Sequence, residues 1–87
     1  MSQYARRDGV MSVELEGETV LLDTLSGQYF RLNSTGTLVW ALLERATSLD
    51  ELSEQFRAEV DVDEDELRRD LTELLASLQE QQLVVAS

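Results

Sequence analysis

The chain contains no cysteine, no histidine, no lysine and no proline. Without cysteine there is neither a disulfide framework nor a thiolate metal site, which suits a reducing compartment, and a cytoplasmic address is expected. Histidine is the commonest acid–base group near neutral pH, and with cysteine it supplies most transition-metal ligands, so neither chemistry has its usual residues. Without lysine there is no Schiff-base chemistry and no phosphate-gripping lysine, and no glycine-rich phosphate loop is present. Long hydrophobic runs are missing too. None of the apolar stretches could cross a bilayer, and "MSQYARRDGV" lacks the apolar centre of a signal peptide. These absences lead us to expect no enzyme, no cofactor, no metal and no membrane partner.

Charge of one sign is nearly missing as well. Seven bases, all arginine, face 18 acids, for a net charge of -11. Nine of the acids and a single base, Arg57, lie between Asp50 and Glu66, so that segment alone carries about -8 (1 minus 9). Its "DVDEDE" run, Asp61 to Glu66, has no glycine at an EF-hand turn position and no closing glutamate, and reads as a helix start favoured by the helix dipole. The helix expected from Asp63 to Gln82 holds two arginines against seven acids. Phosphate would repel it, which excludes a DNA-recognition helix and predicts no nucleic-acid partner.

What is present fits one domain over residues 1–87, with 43% hydrophobic residues to build a core. Met11, Val13 and Leu15 alternate with Ser12, Glu14 and Glu16, as a half-buried strand requires. "EGET" turns the chain. Thr19 to Asp23 is apolar on both faces, which suits a central strand. "TLSGQ" turns it again into "QYFRL", with Phe30 and Leu32 on one face and Tyr29 and Arg31 on the other. Asn33 or Ser34 caps a mostly buried helix containing Leu38, Val39, Trp40, Leu42 and Leu43. Ser48 with Glu51 opens a second helix whose apolar side is Leu49, Leu52 and Phe56. Asp63 with Glu66 opens a third, striped by Leu67, Leu71, Leu74, Leu75 and Leu78. Leu83 and Val84 are expected to fold back on the domain, with the last residues frayed.

The layout is therefore α+β: a three-stranded antiparallel sheet followed by three helices on one of its faces, resembling a winged helix-turn-helix with the strands first. Its outer strands leave backbone donors and acceptors unpaired. An extended segment could pair with the edge at "QYFRL", and side-chain pockets beside it would supply specificity. Phe30 and Leu32 are expected to hold that strand on the core, and Tyr29 and Arg31 to face a ligand. A proline at position 30 should remove a backbone donor and damage binding. The same edge could instead pair with a second copy of the chain, making a homodimer or adaptor at high concentration.

"LLDTLSGQYFRLNSTGTLVWALL", "SLDELSEQF", "VDVDEDEL" and a Leu-rich last helix ending "QLV" together resemble the PqqD-like family, the recognition elements of ribosomal peptide maturation. The likeness runs from about Val10 to Val84. It is carried by Asp23, Gly27, Tyr29, Leu32, Asn33, Thr35, Gly36 and Trp40, while Gln82 stands where the family usually has glycine. The resemblance implies that a precursor's leader peptide adds as an antiparallel strand to the third strand, in the cleft beside the third helix. The implied contacts are Gln28, Tyr29, Phe30 and Arg31 on the edge, with Leu67, Asp70, Leu71, Leu74 and Leu78 on the helix wall. It also implies delivery to a separate leader peptidase and then an ATP-dependent macrocyclase, as in lasso-peptide biosynthesis. The alternative it leaves open is a chaperone that presents its precursor to a radical enzyme.

Overall fold

The computed structural model of the protein describes residues 3–87. In chain order its elements are β1 (Tyr4–Arg6), β2 (Val10–Leu15), β3 (Glu18–Asp23), β4 (Tyr29–Leu32), α1 (Ser34–Leu42), α2 (Leu49–Glu59), α3 (Glu64–Glu80) and β5 (Val84–Ala86). The expected antiparallel sheet has the order β2-β3-β4, so the strand that is apolar on both faces is central. Its first hairpin closes through Glu16 and Gly17, at φ 52° and 82°. Positive φ at both positions is the type I′ geometry whose twist suits flanking strands.

Each helix starts on the cap its sequence offers. The side chains of Asn33, Ser48 and Asp63 accept from the backbone N–H groups of Gly36, Glu51 and Glu66, respectively. α1 packs on β3 and β4, and α2 on α1 and α3. Between them lie Leu21, Val39, Leu43, Leu52, Leu71, Leu75 and Leu83, each at most 1% exposed. A leucine buried this completely contributes roughly 2 kcal/mol of apolar transfer. α3 ends in a Schellman turn, in which the Leu83 N–H donates to the Leu78 carbonyl at 2.9 Å and that of Gln82 to Gln79 at 3.0 Å. Gln82 therefore takes the left-handed position, φ 62°, at the site where the family resemblance led us to expect glycine.

Two expectations need correction. The last residues are paired rather than frayed: β5 and β1 form a second, two-stranded antiparallel sheet, with Gln3 and Ser87 exchanging backbone hydrogen bonds at 2.9 Å. This ribbon is tied to the body by two arginines missed in the sequence. Arg6 donates to the Trp40 carbonyl at 2.9 Å and lies 4.8 Å over the Trp40 ring, capping the end of α1. Arg7 pairs with the buried Asp23 at 2.6 Å and donates through Nε to the Gln82 carbonyl.

The second correction concerns β2, which is not half-buried. The alternation is real, but Met11, Val13 and Leu15 face away from the helices and are 55–60% exposed. The register places Met11 opposite Leu22 and Val13 opposite Val20, so these residues share the outer face of the sheet with Tyr29 and Arg31. On the inner face, Ser12 and Glu14 are exposed as well, because the helical layer is centred on β3 and β4.

Candidate functional site

β4 is set by the loop before it. Gly27 adopts φ 77°. Its N–H donates to the Asp23 carbonyl at 2.7 Å, and the Asp23 side chain accepts from the Leu25 N–H at 3.0 Å. The Arg7 guanidinium beside Asp23 holds its carboxyl below the usual carboxylate range, with the Leu25 N–H assisting and burial opposing. The Asp23 N–H donates to the Gln28 carbonyl at 2.9 Å.

That bond fixes the phase of the whole strand. Antiparallel alternation directs the backbone groups of Gln28, Phe30 and Leu32 toward β3 and those of Tyr29 and Arg31 outward. Among the described residues no strand pairs on that outer side. The edge is therefore two residues long in hydrogen-bonding terms. A proline at position 30 would break the β3 ladder, whereas one at position 31 removes an outward donor.

Side chains alternate in the opposite sense. Phe30 is half-buried and Leu32 buried on the helix side, while Tyr29 is 71% exposed on the outer face. Between β4 and α3 lies a depression of about 280 Å³ lined by Phe30, Arg31, Leu32, Asn33, Gly36, Leu74, Ser77, Leu78 and Gln81. A second, of about 310 Å³, is lined by Ser34, Thr35 and Leu38 of α1, Leu67, Asp70 and Leu71 of α3, and Phe56, Val60 and Val62. Gly36 lets α1 approach β4 closely, since a Cβ there would stand 3.1 Å from that of Leu32.

Thus Phe30, Arg31, Leu74 and Leu78 meet around the first depression, and Leu67, Asp70 and Leu71 around the second. Gln28 and Tyr29 border neither. Leu67, Leu71 and Leu78 are buried, so the surface of α3 toward the cleft comes mainly from half-buried Leu74 and exposed Asp70. Sequence reasoning missed Ser34, Leu38, Val60 and Val62 as lining residues. Nothing in their periodicity separates groove from core. It also missed Glu18, whose carboxylate pairs with Arg31 across the outer face at 2.9 Å. No helix among the described residues is long and apolar enough to cross a membrane.

A small sheet whose β4 edge is unpaired among the described residues and lies beside a leucine-striped helix is an arrangement suited to taking up an extended chain. The chain belongs to the PqqD family, described as coenzyme PQQ synthesis protein D, whose profile matches residues 18–84. It is similar to TbiB1, whose structure was solved in complex with the TbiA(beta) leader peptide. The two are 34% identical, with a TM-score of 0.84, over 92% of this chain and 93% of that one. It is also similar to a lasso peptide synthetase B1 complexed with its leader peptide, at 27% identity and a TM-score of 0.81, over 94% and 96% of the two chains. No curated protein matches it.

Proposed function

We propose that this protein binds the leader segment of a ribosomally made precursor peptide by strand addition to β4, and delivers it to separate enzymes of lasso-peptide biosynthesis. The leader peptidase acts first on the delivered precursor and an ATP-dependent macrocyclase follows. The protein itself is a non-catalytic recognition partner working in the cytoplasm. The observation that carries this reading is the pair of outward backbone positions, Tyr29 and Arg31, on a strand whose Phe30, Arg31 and Leu32 border the groove of α3. Near full-length similarity to two B1 proteins complexed with leader peptides supports it. The family's description, a coenzyme PQQ synthesis protein, favours as the second reading the chaperone that the resemblance left open, one presenting its precursor to a radical enzyme.

An added strand receives hydrogen bonds almost regardless of its sequence, and its alternate side chains enter the depressions. Among the described residues both edges of the sheet, β2 and β4, are unpaired, which allows an internal control. Ser12 on β2 has the same outward backbone phase as Arg31 on β4, because the two-residue turn makes Leu15 and Glu18 a hydrogen-bonded pair. In titrations with the TbiA(beta) leader peptide and the protein's own candidate leaders, Arg31→Pro should lose binding while Ser12→Pro retains it. Both variants should keep the fold, since neither N–H serves the sheet. Equal loss in the two, or binding untouched by Arg31→Pro, contradicts strand addition at β4.

A further inference from the structure

Arg31 is the only arginine among the residues lining either depression. It stands at the open edge of a chain with a net charge of -11, where an incoming carboxylate is otherwise repelled. Resting on the proposed strand addition, we propose that Arg31 selects an acidic side chain at one defined position of the bound peptide. Glu18 holds the guanidinium on the outer face of the sheet, with or without a peptide.

The geometry specifies which position. Tyr29 and Arg31 carry the outward backbone groups, so each forms a hydrogen-bonded pair with the peptide residue directly opposite, and paired residues share a face. An antiparallel strand meets Arg31 first and Tyr29 two residues later. The residue between points to the helix side, toward Phe30, Leu74 and Leu78. The preferred triplet, in chain order, is therefore an acid beside Arg31, an apolar residue in the groove, and an aromatic or β-branched residue beside Tyr29.

Arg31 can serve both partners at once. Its Nε and Nη2 both reach the same Glu18 oxygen, at 3.0 and 2.9 Å, which leaves Nη1 available for a second carboxylate. The side chain of Arg31 is 74% exposed and that of Glu18 41%, so neither is locked by packing. With a peptide strand in place, Arg31 moves from the rim of the sheet to its interior. Water is then excluded from one side, and the pair strengthens.

A charge swap tests this without deleting the cross-strand pair. A displayed library of random 15-residue peptides would be selected on the wild-type protein and on the double variant Glu18→Arg, Arg31→Glu. The winning peptides would then be resynthesised with Glu or Lys at the position two residues before the one beside Tyr29. Wild type should favour the acid, and the double variant the base, each by about twofold to fivefold, as for a partly exposed ion pair. Arg31→Gln gives an independent readout should the double variant not fold: the ratio of affinities for the Glu and Lys peptides falls to about one, whatever the overall affinity. The same ranking in all three proteins, or no charge preference in wild type, overturns the assignment of Arg31. Failure to enrich any peptide at the β4 edge overturns the leader-binding reading itself.

Discussion

Glu16 and Gln82 hold left-handed backbone at φ 52° and 62°, in a region that costs a residue bearing a Cβ about 1 kcal/mol. At Gln82 the Schellman turn nonetheless closes, because Leu83 is fully buried behind it and Arg7 donates to the Gln82 carbonyl. Gln82→Gly should therefore raise stability by about 1 kcal/mol, read as a higher midpoint in urea with an unchanged slope. Asp23 works in the opposite direction. Its carboxyl is held below its unfolded value of about 3.9 by Arg7, so the stability it contributes is present above that value. It is lost as pH falls through the folded value. Asp23→Asn should lower the melting temperature at pH 7, and the gap from wild type should close on acidification below about pH 4. A gap that is constant with pH would mean that packing, rather than the charge, is what the substitution removes.

At the scale of elements, α3 performs two tasks with one stripe. Leu71 is 1% exposed and sits in the core, while Leu74, three residues on, is half-buried and lines the groove. Leu71→Ala should cost about 2–5 kcal/mol in a denaturant melt. Leu74→Ala should cost clearly less in the same melt but weaken peptide binding, and equal costs would show that both serve only the core. The sequence made the stripe visible without this division, because the 3.6-residue period reports one apolar side and not which part of it a neighbour covers. The three helix caps and the central strand were legible, since each rests on a local signal such as Ser48 with Glu51. The terminal ribbon was not: Tyr4–Arg6 and Val84–Ala86 are three residues each, and their pairing is set by partners about 80 positions apart. The outward facing of Met11, Val13 and Leu15 was hidden for a different reason. β3 is apolar on both faces, so alternation alone cannot say which face the helices cover.

Over the whole molecule, helices on one side of the sheet leave the other side apolar and exposed, and one edge of that sheet borders a groove. The family resemblance singled out one strand and one helix from motif order, and in the fold these two flank a common depression. What it could not supply was the phase of β4, which depends on a single loop bond, from the Asp23 N–H to the Gln28 carbonyl. That phase turns a general edge into two named backbone positions. The most direct test is amide hydrogen exchange, followed residue by residue, with and without a saturating bound peptide. Exchange at Tyr29 and Arg31 should slow by about tenfold or more, while Phe30 and Leu32, already bonded to β3, change little. Unchanged exchange at Tyr29 and Arg31, with protection appearing elsewhere, would contradict strand addition at β4.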